Sequence, residues 1–259
     1  MKTKLLNPIL IYVFAILFLS GCKKQDNSAT IPATDSTKSL ENTEETSTGT
    51  KTNLLDTMDD DEWRKLNIFV SNFCESNLDN FSTNNYDEKA LIGFALSHNV
   101  NNNRESFKTD ENGDSYVPKT VVNNTIDKYF GIKNIPAKDF EEDFYACKGG
   151  KYYWLDVMEG SPWFAGGQAV QLYDNGDGTL SVIVENYQDG EGYGMDEASI
   201  LPNNPTSPFY APKKNWSGKV KKLLRQNGYY IATIAPYTYN DKQTYKLLEW
   251  RFVETPDAI

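Results

Sequence analysis

The chain has 259 residues, with 26 Lys and Arg against 36 Asp and Glu, a single His, three Cys and 13% aromatic residues. A net charge of −10 disfavours nucleic acid as a partner, because duplex affinity rests on cations that neutralise phosphates. The 39% hydrophobic content excludes a polytopic membrane protein, one His argues against histidine-built metal sites, and three Cys cannot staple a disulfide-dense scaffold.

Lys2 and Lys4 open the chain, Ile9 to Leu19 is an unbroken apolar run, and Leu19-Ser20-Gly21-Cys22 closes it. The run is too short to span a bilayer core of about 30 Å, so it has the form of a secretory h-region. Its ending resembles the lipobox of bacterial lipoproteins, a Leu and two small residues before a Cys. The resemblance implies that residues 1–21 are a signal peptide and that Cys22 becomes the lipidated first residue of the mature chain, held by palmitate-type acyl chains. The alternative is an uncleaved anchor in which Cys22 is an incidental thiol. Cleavage would remove two Lys and no acid, taking the charge from −10 to −12.

Residues 22–55 carry Cys22 and then a spacer. Between Lys23 and Asn53 stand eight Thr and four Ser, with no aromatic residue. Such a segment buries too little apolar surface to offset its ordering entropy, so it is expected to be a disordered tether reaching about 30 Å.

Residues 56–259 are expected to form one α+β domain. After Asp59-Asp60-Asp61-Glu62, the residues Trp63, Leu66, Val70, Phe73 and Asn77 keep helical spacing. A second helix starts near Asn85 and Asp87, carries Leu91, Phe94, Ala95 and His98 on one face, and is ended by Asn99 to Asn103. Asn112-Gly113 signals a small ribbon over Phe107 to Val117. A third helix starts at Pro118, aligns Val122, Ile126, Tyr129 and Phe130, and stops at Gly131 as a left-handed cap.

Beyond Phe140 the period becomes two. Phe144–Cys147 with Tyr152–Val157, Ala169–Tyr173 with Leu180–Tyr187, and Lys219–Gln226 with Tyr229–Tyr237 are expected hairpins, the last turning at Asn227-Gly228, and Thr244–Val253 is a closing strand. These give about three N-terminal helices packed on one face of a C-terminal antiparallel sheet of about six to seven strands. The long connection from Gln188 to Asn215 contains four prolines and the acidic, Gly-rich Asp189–Glu197, a candidate mobile lip.

Leu66–Phe73, Phe94–Asn99, Thr125–Gly131 and Gly150–Trp154 resemble a family of uncharacterised lipoproteins from low-GC Gram-positive bacteria. The likeness covers most of Asp56 to Ile259. It implies an extracytoplasmic location on the bacterial cell membrane and brings no activity with it.

No nucleotide-binding Gly loop, nucleophile elbow or zinc-protease helix occurs, so no cofactor, metal or catalytic residue is assigned. Asp110-Glu111-Asn112-Gly113-Asp114 begins like a calcium loop, but Ser115 and Val121 stand where Gly and Glu are needed. His98, near a helix C-terminus where the macrodipole favours its charged form, is either a general base beside a carboxylate or a capping and packing residue. Export permits a disulfide between Cys74 and Cys147. Aromatic residues near strand ends and loops, Trp154, Trp163, Tyr193 and Tyr210 foremost, are candidate ligand-binding residues that could stack on a sugar or clasp a peptide, or else fill the core.

The leading expectation is a lipid-anchored module that binds a cell-wall or peptide ligand or another protein at the cell surface. The alternative is a carboxylate-based hydrolase of cell-wall polymer, for which Asp156, Glu159, Glu185 and Glu249 are candidates. A purely structural surface role is the third.

Overall fold

The computed structural model describes residues 52–154, 165–189 and 204–256. Helix α1 (Asp60–Glu75) begins where the Asp59 side chain accepts from the Glu62 N–H at 2.7 Å, and three acids fill its first turn. It ends on Asn77, which takes the left-handed conformation at φ 48°. There Leu78 N–H donates to the Phe73 carbonyl and Asn77 N–H to that of Cys74, a Schellman closure with Leu78 buried. Helix α2 (Glu88–Asn102) is capped by Asp87 and runs one turn further than expected, through Asn99 to Asn102. Helix α3 (Lys119–Phe130) starts after Pro118 and stops at Gly131, φ 67°, as its sequence predicts.

Ten strands, among the described residues, form two antiparallel sheets of five. In order across the larger sheet lie β1 (Phe81–Ser82), β10 (Lys242–Val253), β9 (Leu224–Tyr239), β8 (Leu180–Asp189) and β7 (Ala165–Asp174). The smaller sheet runs β2 (Lys108–Thr109), β3 (Ser115–Pro118), β6 (Lys151–Trp154), β5 (Tyr145–Lys148) and β4 (Phe140–Glu141). The α+β class therefore holds, whereas the single sheet of six to seven strands does not. The hairpin at Gly149-Gly150 joins the ribbon around Asn112-Gly113, pairing Tyr116 with Tyr153, instead of extending the larger sheet. Three of the strands also lie between the helices in sequence, so helices and strands are not segregated.

A second correction concerns Asn227-Gly228. Residues Gly218–Leu223 form a short helix, α4, and β9 then runs unbroken past Gly228. Glu185 pairs with Tyr229 but Tyr187 with Gln226, so Asn227 and Gly228 make a bulge opposite Asn186. Gly228 supplies the φ of 72° that the bulge requires. The hairpin turn falls at Asn240 and Asp241, both at positive φ (48° and 61°), the pattern of a type I′ turn.

The main core lies between the helices and the larger sheet. Phe73 is at its centre, with ring centroids 5.1 Å from Phe69, 5.3 Å from Phe94, 5.7 Å from Phe130 and 5.3 Å from Trp250. A smaller cluster of Tyr187, Phe209, Tyr210, Trp216 and Val220 sits under the 204–217 segment. That part of the long connection is packed: the Phe209 and Trp216 rings meet tilted at 5.4 Å, and the indole N–H of Trp216 donates to the Phe209 and Ala211 carbonyls.

Helix α1 reaches β7 closely because Gly167 has no side chain. A Cβ there would lie 2.8 Å from Val184 Cγ1 and 3.1 Å from Cys74 Sγ. Ser71 Oγ donates to the Gly167 carbonyl and accepts from its N–H, at 2.9 and 2.8 Å. Among the described residues no helix is long and apolar enough to cross a membrane.

Candidate functional site

Two polar side chains of α1, Asn67 and Ser71, together with Gln168 of β7, fix the surroundings of the site. Fully buried Asn67 donates to Gln168 Oε1 (2.9 Å) and the Tyr210 carbonyl (3.0 Å), and accepts from the Ala169 N–H (2.9 Å). Gln168 in turn donates to the Phe209 carbonyl at 2.5 Å. With Ser71, these bonds tie α1, β7 and the 204–210 segment together, and every donor and acceptor named is satisfied within the fold.

That fastening brings Tyr210 to the C-terminal end of α1, where its hydroxyl lies 3.1 Å from Glu75 Oε1. The other Glu75 oxygen accepts from Asn102 Nδ2 at 3.3 Å. The same amide nitrogen lies 3.3 Å from His98 Nδ1, and His98 Nε2 faces the Tyr129 hydroxyl at 3.5 Å. Lys128 Nζ donates to that hydroxyl at 3.2 Å, with its ammonium 4.7 Å from the Tyr129 ring centre. Tyr210, Glu75, Asn102, His98, Tyr129 and Lys128 thus form one connected polar chain across α1, α2, α3 and the 204–210 segment.

Its electrostatics run against the ordinary charge states. Burial lifts the Glu75 carboxyl from 4.5 to about 7, more than the bonds from Asn102 and Tyr210 pull it down. Its place in the last turn of α1 acts in the same direction, since the carbonyl end of a helix disfavours a negative charge. Burial, and then Lys128, lower His98 to about 3. The sequence reading that the helix end would favour the imidazolium is corrected here: desolvation outweighs the macrodipole. His98 is neutral near pH 7, and an Asn102 N–H donated to Nδ1 leaves its proton on Nε2. Burial, and then the Glu75 charge, also push the Tyr129 and Tyr210 hydroxyls up, so both stay protonated near pH 7.

Beside this chain opens a cleft of about 500 Å³ lined by Ile68, Asn72, His98, Asn99, Asn102, Asn103, Val121, Asn124, Thr125, Lys128, Tyr129, Pro205, Tyr210 and Tyr239. A second cleft of about 550 Å³ shares Ile68, Asn72, Lys128 and Tyr129 with it and continues past Glu62, Lys65, Gln243, Thr244 and Tyr245. Both fall within the size range of ligand sites, roughly 300–1,000 Å³. The chain matches no family model, no curated protein and no solved structure.

The sequence candidates fare differently. Tyr210 is at the cleft, but its ring is buried and its hydroxyl holds Glu75, so it supports the wall instead of offering a stacking face. Trp154 is on β6 and lines a separate groove of about 820 Å³ with Phe144, Tyr145 and the Lys89–Glu142 pair. Cys22, Trp163, Tyr193, Asp156, Glu159 and residues 190–203, which hold all of the candidate lip but Asp189, lie outside the described residues. Cys74 and Cys147 are not brought together: both are buried free thiols, one on α1 and one on β5. Glu185 is occupied by the Tyr187 hydroxyl and by Lys213 (2.6 Å), and Glu249 accepts from Thr233 on an exposed strand face. Among the described residues no three His, Cys, Asp or Glu side chains converge as a metal ion would require.

His98 was singled out by its place on the α2 stripe. Asn72, Glu75, Asn102, Lys128 and Tyr129 were missed as site residues. One local signal was present: Ile68 with Asn72, and His98 with Asn102, repeat at four residues, placing amides in line with residues of the inward face.

Proposed function

We propose that this chain is a lipid-anchored extracytoplasmic binding protein that holds a cell-wall ligand in the cleft between α1, α2 and α3. The observation that carries the reading is the chemistry of that cleft. Its lining is rich in amides and hydroxyls around a neutral imidazole, with Lys128 as its cation and Tyr239 as a half-buried ring. Such a wall offers donors and acceptors to a ligand rich in hydroxyl and amide groups without presenting a fixed negative charge.

Binding is preferred to hydrolysis of wall polymer because carboxylate catalysis needs two acids facing across the scissile bond. Among the described residues, the linings of the two clefts carry one carboxylate, Glu62. The anchor and tether rest on Leu19-Ser20-Gly21-Cys22 and on the Ser- and Thr-rich spacer, which together would keep the cleft within reach of the wall.

Two measurements test the proposal. Cys22→Ala is expected to abolish acyl-chain incorporation and to shift the protein from the membrane to the soluble fraction; unchanged membrane retention would remove the anchor. Thermal stabilisation by solubilised cell-wall fragments is expected for the full chain and lost on Asn72→Ala. Stabilisation indifferent to Asn72 would place the ligand elsewhere.

A further inference from the structure

We propose that the two clefts are one continuous groove that holds a linear acidic saccharide chain, with Lys128 receiving a carboxylate near its middle. The inference rests on the reading of the cleft as the ligand site and specifies what occupies it. The first ground is length. Ile68, Asn72, Lys128 and Tyr129 belong to both clefts, and each cleft alone already has the volume of a whole ligand site. A ligand that fills both is a chain longer than a single ring.

The second ground is the charge at the junction. Lys128 lies where the clefts meet, and none of the ion pairs among the described residues includes it. The charged and titratable groups around it leave it unmatched. From α1 come Glu62 and Lys65 at the far end of the second cleft, and Glu75, which is turned to Asn102 and Tyr210. From α2 comes neutral His98. On α3 itself, Asp127 accepts from the Tyr237 hydroxyl at 2.5 Å, and β10 contributes Lys242, whose positive charge joins burial in lowering the Lys128 pKa. A partly desolvated cation without a carboxylate is completed by an anionic group on the ligand.

The third ground selects saccharide over peptide. The groove presents unspent amide valences: Asn72 uses only Nδ2, on the Ile68 carbonyl at 2.6 Å. Tyr239 and Tyr245 lie half-buried beside it, one in each cleft. Flat rings next to bidentate amides match the alternating apolar faces and hydroxyl edges of pyranose rings. The wall shared by the two clefts consists of residues on α1 and α3, whose backbone groups are spent within the helices and offer no strand edge to an extended peptide.

The test is calorimetry on the detergent-solubilised full chain with defined, peptide-free sugars. The probes are an alternating N-acetylglucosamine–N-acetylmuramic acid tetrasaccharide, the corresponding disaccharide, neutral chitotetraose, and tetragalacturonate. The acidic tetrasaccharide is expected to bind at least tenfold tighter than either the disaccharide or chitotetraose. Lys128→Gln is expected to erase the preference over chitotetraose, and Lys128→Arg to retain it. Tight binding of tetragalacturonate as well would support an acidic chain and point to a uronate source instead of the lactyl ether of wall glycan. Equal affinity for acidic and neutral chains, equal affinity for di- and tetrasaccharide, or indifference to Lys128→Gln would overturn the proposal. Saturable binding of a sugar-free wall peptide, lost on Asn72→Ala, would overturn it while leaving the cleft as the ligand site. Binding insensitive to both Asn72→Ala and Lys128→Gln would overturn both.

Discussion

Helix α1 carries polar side chains toward two different surroundings. Toward β7, Asn67 and Ser71 are completely buried and bond mainly to backbone groups of Gly167, Ala169 and Tyr210. Toward the cleft, Asn72 leaves one valence unspent, and Glu75 bonds only to the side chains of Asn102 and Tyr210. The same helix, and even the same residue type, therefore serves two purposes. Where every donor and acceptor is spent on the fold, the polar residue fixes geometry. Where a valence is left over, as on Asn72, it is available to a ligand.

Substitutions on the two sides should separate these roles. The largest effect is expected for Asn67→Leu, which takes the Asn67 bond away from the Ala169 N–H, the Tyr210 carbonyl and the Gln168 amide in a buried site. At roughly 1–3 kcal/mol for each buried unsatisfied group, a loss of about 4 kcal/mol in urea unfolding is expected. A loss below about 1 kcal/mol would break the distinction between the two sides.

Next comes the acid limb of stability. His98 has an ordinary value of 6.5 and a folded value of about 3, so the unfolded chain binds the extra proton between those pH values. Its contribution is fully present above pH 6.5 and is lost as pH falls toward 3, by on the order of 3 kcal/mol. His98→Asn should flatten that limb in melts from pH 7 to 4; an unchanged slope would mean that His98 is not held neutral by burial.

Glu75 has the opposite sign. Its folded value of about 7 lies above 4.5, so the folded chain keeps the proton longer. Stability from this group is greatest below pH 4.5 and declines as pH rises to 7 and beyond. Glu75→Gln should therefore be more stable than the parent at pH 8, by about 1–2 kcal/mol, with the difference vanishing at low pH. A less stable Gln variant at pH 8 would show that the ionised carboxylate is favoured. The smallest effect on stability, about 1 kcal/mol, is expected for Asn72→Ala, which loses one hydrogen bond, although ligand binding should fall sharply.

The sequence disclosed the helices because their signals are local. Asp59 begins α1, Gly131 ends α3, and the apolar residues between keep a 3.6-residue spacing. Strand pairing is nonlocal, which is why the β5–β6 hairpin was recognised but its sheet was not. Asn227-Gly228 misled because a positive-φ Gly after Asn suits a bulge as well as a turn, and only the partner strand decides between them. The site was less legible still. Glu75 meets Asn102 and Tyr210 across 27 and 135 positions, and no local pattern marks such an encounter. Tyr210 was noticed for its ring, whereas its contribution comes from its hydroxyl. Asn67 and Asn72 are the same residue type on the same helix, and only their partners reveal that one fastens the fold and the other faces the cleft.

The most direct measurement of the central claim is an amide and side-chain NMR titration of the full chain with solubilised cell-wall fragments. The account predicts saturable shifts concentrated at Asn72, Asn102, Lys128 and Tyr129, with Asn67 and Ser71 unmoved. Shifts centred on Phe144 and Trp154 in the other groove, or none at saturating ligand, would contradict it.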